Sequence, residues 1–256
     1  MSVTELVDLQ SLVMDGLPGY FCLHYQPEFD LETDELTGCE ALVRWWHPDF
    51  GMLQPGASLH DTKWAARLEG LEEWTFRAAF AQSAAWNAEG RSIKVAVNVS
   101  RGRLADPGFL DQLHEIIAVT GANPEQLGVD VPLSAFTREP VSTADHTAAL
   151  AELGIVVIAD GVLGDTARPV LARTPVSVLK IPLNTARRQR PGFHPLVASA
   201  LALAHELDLI GVAKAAETTE DVQVLQAMGF DRAFGIAFSP AVSAHRLDQL
   251  VCDPTT

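Results

Sequence analysis

The sequence predicts an α/β protein in which strands and helices alternate along one chain. Short β-branched runs recur through the 256 residues, helical apolar patterns lie between them, and no internal repeat or low-complexity linker interrupts the series. The length fits one barrel or two small domains, and we expect a single domain over residues 1–256. Repeated β-then-α units favour a parallel barrel over an open sheet, although periodicity alone does not establish that the sheet closes.

The chain is predicted to begin with a helix followed by a strand pair. Residues 1–18 have apolar positions spaced as on an amphipathic helix, and residues 20–29 and 35–45 form strands joined by the polar turn DLETDE. Further strands are predicted over residues 92–100, 127–131, 154–160, 176–181 and 209–213 and, more weakly, 232–238. Helices are predicted over residues 62–89, 108–119, 142–153, 195–207 and 219–228. The barrel therefore occupies residues 20–250.

The composition and net charge limit the classes of ligand that the protein is expected to bind. The formal net charge is -15, from 18 basic and 33 acidic residues, which argues against nonspecific binding to nucleic acid or to an anionic membrane. A small anionic ligand can still bind through a few local cations. The three cysteines, Cys22, Cys39 and Cys252, form no CxxC pair and indicate reduced thiols in a cytoplasmic protein. No apolar run reaches membrane-spanning length, and the acidic amino terminus does not resemble a secretion signal.

Polar residues at the predicted strand ends suggest a site. Glu40 lies in an alternating run with Arg44, which is typical either of an ion pair at a sheet edge or of a metal or phosphate site at the end of a barrel strand. Other polar residues close or follow later strands: Asn98, Asp130, Asp160, Lys180 and Glu217. Asn98, Asp130 and Asp160 are each also typical of a helix cap or a turn. The five tryptophans are interpreted as packing helices against the barrel.

Four motifs resemble the EAL-domain family, the bacterial phosphodiesterases that cleave cyclic di-GMP. The segment YQPEFDLETDELTGCEALVRWWHP is similar to the family's YQP…G.EAL.RW.HP opening, VAVNVS to VNLS, and VSVLKI to VDVLKID. The segment GVAKAAETTEDVQVLQAMGFDRAFGIAFSPA is similar to VAEGVET…L..LG.D..QGY.FS.P. The resemblance covers about residues 20–250 and implies a modified TIM-like (β/α) barrel of the EAL type with an antiparallel first strand.

The resemblance also implies a two-metal Mg²⁺ or Mn²⁺ site, and the match to it is incomplete. Glu40, Asn98 and Lys180 match the family outright, and Asp130 replaces a ligand Glu with a shorter carboxylate. Asp160 matches the second Asp of the DDFG pair, and Glu217 matches the later Glu of AEGVET. Glu40, Asn98 and Asp130 are therefore the residual metal-ligand positions.

Two departures bear on catalysis. Ala159 stands where the family has the Asp that bridges both metals, and Lys214 stands where AEGVET has its ligand Glu. An ammonium in a space meant for a divalent cation costs several kcal/mol, so we expect the two-metal site to be lost, with no catalytic residue remaining and no cofactor. Lys214 is expected to pair with Asp160 or with Glu40 instead.

A binding function remains open at the sequence level. Gln26, Glu40, Leu42 and Arg44 match residues that contact guanine and phosphate in the family. The full set expected to face a ligand adds Asn98, Asp130, Asp160, Lys180, Glu217 and Phe234. Phe234 replaces the Gln of QGY and either stacks on a base or packs in the core. Arg44 either binds phosphate or is held by Glu40 or Asp130 in a structural ion pair.

Three functional hypotheses follow. The first is a catalytically inactive EAL-like signalling module that acts through protein contacts, with an unidentified partner or as a homodimer through the helix near the DDFG-like loop. The second is a receptor that binds cyclic di-GMP without cleaving it. The third is a divergent cyclic di-GMP phosphodiesterase that uses one metal on Glu40, Asn98 and Asp130. None of the three involves nucleic acid or a membrane.

Overall fold

The computed structural model describes residues 9–54, 70–183 and 193–252. Its strands are β1 (Ser11–Leu12), β2 (Tyr20–Asp30), β3 (Leu36–His47), β4 (Gly51–Leu53), β5 (Lys94–Asn98), β6 (Leu127–Pro132), β7 (Val156–Asp160), β8 (Val178–Pro182), β9 (Ile210–Lys214) and β10 (Arg232–Phe234). Its α-helices are α1 (Leu71–Ala88), α2 (Arg101–Leu104), α3 (Phe109–Thr120), α4 (Leu133–Arg138), α5 (Pro140–Glu152), α6 (Arg168–Leu171), α7 (Phe193–Glu206), α8 (Thr219–Met228) and α9 (Ala244–Cys252).

The strands close into an eight-stranded barrel. The hydrogen-bonded order runs β2-β10-β9-β8-β7-β6-β5-β3, and β3 pairs with β2 to complete the circle. β2 is antiparallel to both neighbours, and the other pairs around the barrel are parallel. The TIM-like barrel with an antiparallel first strand is therefore confirmed. In parallel barrels the side chains at the carboxyl ends of the strands converge on one face, which positions the site described below.

Local sequence explains where several helices begin and end. The hydroxyl of Thr218 accepts a hydrogen bond from the Asp221 amide, and the Asp221 carboxylate accepts one from the Thr218 amide, which forms a capping box at the start of α8. Helices α3 and α8 end at Gly121 and Gly229, whose left-handed φ angles of 69° and 83° suit glycine.

The core has two layers. Strand residues that point outward pack against the surrounding helices, and Val95, Val129 and Leu179 in this layer are fully buried. Residues that point inward form a smaller cluster of Ile158, Val178, Val212 and Phe234 at the barrel axis. This alternation of inward and outward residues is the period of two that a strand imposes.

Two predicted elements differ from the structure. The helix predicted over residues 1–18 does not extend beyond Gln10, because Ser11–Leu12 pair with β2 as an edge strand; residues 1–8 lie outside the described residues. The strand predicted over 232–238 stops at Phe234, because Gly235 has φ 154° and the chain turns back to Ala216. The part of the helix predicted over 62–69 lies outside the described residues.

The β2–β3 hairpin continues beyond the carboxyl-terminal rim of the barrel. β5 pairs with β3 only as far as Ala41, and from there β4 and β1 flank the hairpin instead. We call residues 11–12, 20–25, 42–47 and 51–53 the ribbon. Among the residues that the structure describes, no helix is long and apolar enough to cross a bilayer.

Candidate functional site

The cleft at the carboxyl-terminal end of the barrel gathers most of the polar residues predicted from the sequence. The strand register places neighbouring members opposite one another: Asn98 faces Asp130, Asp160 faces Lys180, and Lys214 faces Phe234. Gln26 on β2 lies opposite Glu40 on β3. All of these residues share the inward orientation of the axial cluster, to which Phe234 belongs, and the polar side chains lie above that cluster.

Lys180 is at the centre of the cleft floor. Its Nζ donates to Glu40 Oε2 at 2.8 Å and to Asp130 Oδ2 at 2.7 Å, and all three side chains are buried. Asn98 Nδ2 donates to the other Glu40 oxygen at 2.7 Å. Asp130 Oδ1 has no hydrogen-bond partner within the described part of the chain. One ammonium therefore binds two buried carboxylates, and the hydrogen-bonding capacity of Asp130 is not fully satisfied among the described residues.

The two carboxylates respond differently to this environment. Burial raises the pKa of Glu40, but Lys180, Lys214 and the Asn98 amide outweigh it and lower the value to about 2. Burial raises the pKa of Asp130 to about 7, because Lys180 offsets only part of it and Glu40 adds repulsion. Burial disfavours the charged form of Lys180, yet Asp130 and Glu40 raise its pKa well above the ordinary value. Asp130 is therefore the carboxyl that takes up a proton first.

Lys214 makes a second ion pair above the first. Its Nζ donates to both oxygens of Asp160, each at 2.8 Å, and both side chains are partly exposed. Phe234 lies beneath the two cations, with its ring centroid 5.3 Å from Lys180 Nζ and 5.9 Å from Lys214 Nζ. Both distances are within the range of a cation–π contact. Of the two partners expected for Lys214, the structure shows Asp160.

These residues do not fit the two divalent cations that the resemblance implies. Within residues 9–54, 70–183 and 193–252, no three His, Cys, Asp or Glu side chains converge as a metal site. Glu40 and Asp130 are bound by Lys180, and Asp160 is bound by Lys214. A single metal on Glu40, Asn98 and Asp130 would likewise have to displace the Lys180 ammonium.

Of the two departures from the family, Lys214 changes the cleft and Ala159 does not. Ala159 is fully buried in the outer layer between its cross-strand partners Val131 and Leu179, so its side chain points away from the cleft. Lys214 points into the cleft and changes its charge directly. The next residue, Ala215, has a left-handed φ of 67°, which is unfavourable for any residue with a Cβ.

The residues expected to contact a ligand differ in their burial and in their distance from the cleft floor. Gln26 Nε2 donates to the Ser239 carbonyl at 2.8 Å, which fixes its amide against the neighbouring loop. Glu217 is exposed at the start of α8, where its amide donates to Asp221 Oδ2. Phe234 is buried in the axial cluster, so the structure supports its packing role over stacking on a base.

Arg44 is half-buried on the ribbon, above the floor of the cleft. Its Nη1 donates to the Val43 carbonyl at 3.0 Å, and within the described residues no carboxylate forms a salt bridge with it. Burial lowers the pKa of Arg44, while Cys22, its cross-strand partner, and Glu40, four residues before it on β3, oppose the shift. The ion pair of Arg44 with Glu40 or Asp130, considered from the sequence, does not form. Leu42 is half-buried two residues before it on the same face.

One part of the cleft was missed from the sequence. Trp46 does not pack a helix on the barrel: it is 43% exposed and stacks on Tyr20 at the rim. The alternation along β3 carried the signal, because Glu40, Leu42, Arg44 and Trp46 are spaced two apart and share a face.

A TIM-like barrel with a polar cleft at its carboxyl-terminal end and an antiparallel first strand defines the class of protein. A family model described as the EAL domain matches residues 14–241, and the chain belongs to this family. Cyclic di-GMP phosphodiesterase PA2567 of Pseudomonas aeruginosa is 27% identical over 231 residues, covering 89% of this chain and 39% of that protein. A signaling protein of Caulobacter vibrioides is 30% identical over 209 residues, covering 80% of this chain and 25% of that protein.

Solved structures agree with this assignment. The PaMucR phosphodiesterase in complex with c-di-GMP superposes with a TM-score of 0.81 at 25% identity, covering 89% of this chain and 94% of that one. The EAL domain of Mycobacterium smegmatis DcpA gives a TM-score of 0.75 at 26% identity, covering 91% and 98%. The chain spans less than half the length of the curated relatives above.

Proposed function

We propose that this EAL domain is a signalling module that does not hydrolyse cyclic di-GMP with Mg²⁺ or Mn²⁺. The observation that supports this most directly is the Lys214 ammonium, which lies 2.8 Å from both oxygens of Asp160 and stands where the resemblance implies a metal-ligand Glu. A divalent cation there would face a positive charge and would have to compete for Asp160. Metal-assisted hydrolysis needs a metal-bound water of lowered pKa, and without the metal this nucleophile is missing.

Lys180 supports the same proposal from the cleft floor. The resemblance implies that this lysine orients the attacking water, but its Nζ is occupied by Glu40 and Asp130. A protonated, fully buried lysine with two carboxylate partners cannot act as a base, because its pKa is raised rather than lowered. The module then transmits its signal through contact with another protein or with another copy of the chain.

The direct test is a turnover assay. The purified protein is incubated with cyclic di-GMP and an excess of Mg²⁺ or Mn²⁺ over the nucleotide. Chromatography then measures the linear product, and an active EAL-domain phosphodiesterase assayed in parallel is the positive control. We expect no product above the no-enzyme blank. Product that scales with protein concentration and disappears with a chelator would overturn the proposal.

Arg44 favours a second function, a receptor that binds cyclic di-GMP without cleaving it. Its guanidinium faces the cleft, has no carboxylate partner among the described residues and suits bidentate binding of a phosphate. Because Arg44 supplies the positive charge, this binding needs no divalent cation.

Calorimetric titration with cyclic di-GMP in a chelator tests the receptor function. We expect binding by the wild type and a loss of about 10-fold or more in Arg44→Ala, since a hydrogen bond to a charged group contributes about 1.5–3 kcal/mol. Arg246→Ala is the matched control, because Arg246 lies on α9 and bonds Gln249. A flat titration, or equal loss in both variants, would contradict the role of Arg44.

A further inference from the structure

The ribbon carries two large aromatic side chains that no described element covers. Tyr20 on β2 and Trp46 on β3 lie directly opposite each other, with ring centroids 6.5 Å apart and an angle of 22° between the planes. They are 39% and 43% exposed. Met52 on β4 pairs with Trp46 from the other side and is also exposed. Tyr20, Trp46 and Met52 therefore form an apolar surface on which aromatic rings are exposed to solvent.

This surface continues the wall of the cleft. Side chains on a strand alternate between faces, so Trp46 shares its face with Arg44, whereas Trp45 points into the core and stacks on Phe21. Two residues along a strand correspond to about 6.8 Å. An aromatic ring and a guanidinium therefore stand side by side at the rim.

The chemistry of this pair selects a ligand that is both flat and anionic. Every nucleobase has a π-face that stacks on tyrosine or tryptophan, and its phosphate matches the guanidinium fork. The aromatic side chain on the cleft floor, Phe234, is buried beneath two ammonium groups and offers no open face. A protein partner would use the exposed rings equally well, but it would not require them to adjoin Arg44.

We infer that Tyr20 and Trp46 form a base-stacking platform for a nucleotide whose phosphodiester is bound by Arg44. This inference rests on the receptor function proposed above and adds to it the position of one base, outside the mouth of the barrel. The platform determines affinity by stacking rather than by hydrogen bonds to base edges, so it tolerates different bases. It requires no metal.

Tryptophan fluorescence and calorimetry with cyclic di-GMP, both in a chelator, test the inference. Stacking of a base on Trp46 quenches its emission, so the wild type loses fluorescence on titration. Trp46→Phe keeps an aromatic ring but removes the reporter, and we expect it to bind within about 3-fold of the wild type with most of the quenching gone. Trp46→Ala loses the ring, and its affinity falls about 5-fold or more, the range measured for base–aromatic stacking.

Phe50→Ala is the matched control. Phe50 is a more exposed aromatic residue beside the ribbon, at 72%, but it packs on His47, whose side chain belongs to the opposite face. We expect this variant to bind like the wild type. Binding that is unaffected by Trp46→Ala, with unchanged tryptophan emission, would overturn the platform and leave the receptor function intact. Absence of binding in the wild type would overturn both.

Discussion

Replacing Lys180 by Met should destabilise the protein strongly. The change removes the ammonium that lies 2.8 Å from Glu40 and 2.7 Å from Asp130, while the methionine fills a similar volume. Breaking a buried ion pair by removing one partner costs about 3–5 kcal/mol, because an uncompensated charge remains. Here two carboxylates remain, so we expect a loss at the upper end of that range, a large part of the 5–15 kcal/mol typical of a domain.

The loss should also depend on pH. The pKa of Asp130 is about 7 in the folded protein and 3.8 as its ordinary value, so the folded state holds a proton that the unfolded state releases between these values. Stability from this group therefore falls as pH rises from about 4 to 7. Without Lys180 the pKa of Asp130 rises further, and the fall extends above pH 7. The difference between variant and wild type should grow by about 1 kcal/mol from pH 6 to pH 8.

Urea denaturation followed by circular dichroism at both pH values measures this difference. Lys94→Met is the control, because Lys94 is an exposed lysine on another barrel strand, β5. We expect the control to change the unfolding free energy by less than about 0.5 kcal/mol. A loss below about 1 kcal/mol in Lys180→Met, similar to the control, would show that Lys180 does not compensate the two carboxylates.

Three further changes have definite expected outcomes. Ala215→Gly should raise the urea midpoint, because the left-handed φ of 67° costs about 1–2 kcal/mol in a residue with a Cβ, whereas the added chain entropy of Gly costs only about 0.5–1 kcal/mol. A lower midpoint would show that the backbone at Ala215 is not strained. Gly235→Ala should cost about 3 kcal/mol or more, since a Cβ there would lie 2.1 Å from the Ala216 carbonyl oxygen, whereas Gly102→Ala, with open space around it, should be tolerated. Lys214→Glu should bind Mn²⁺, which the wild type should not. We expect Mn²⁺ to raise the melting temperature of the variant by a few degrees and to leave that of the wild type unchanged. An equal rise in the variant and the wild type would show that Lys214 does not block the metal.

The barrel was predictable because its strands carry signals within the local sequence. β-branched runs such as KVAVN and VVIAD place buried residues at the centre of each strand, and their spacing along the chain indicates the β-then-α repeat. The ends were less predictable where a tertiary contact decides the outcome. Ser11–Leu12 become a strand only because β2 offers a partner, and β10 is short because Gly235 must approach Ala216.

The site was predictable in its members but not in its contacts. Motif positions identified Glu40, Asp130 and Lys180, yet the sequence did not reveal that one lysine binds both acids, because β3, β6 and β8 lie far apart in the chain. Similarly, alternation placed Trp46 on the face of Arg44, but only the assembled barrel shows that no described helix covers that face. The alternation along one strand determines which face a side chain occupies. Its solvent exposure depends on which other elements of the fold pack against that face.

The distribution of charge in the cleft connects these observations. On the floor, Lys180 compensates Glu40 and Asp130, and Lys214 compensates Asp160, so each ammonium already has a carboxylate partner. A phosphodiester entering the cleft must displace one of these carboxylates to reach either lysine, and the displaced acid would repel it. Arg44 imposes no such exchange among the described residues, because it donates to a neutral carbonyl. On the receptor function proposed above, an anionic ligand would therefore bind higher than the floor of the cleft, at the level of the ribbon. The exposed aromatic ring nearest to Arg44 along β3 is that of Trp46.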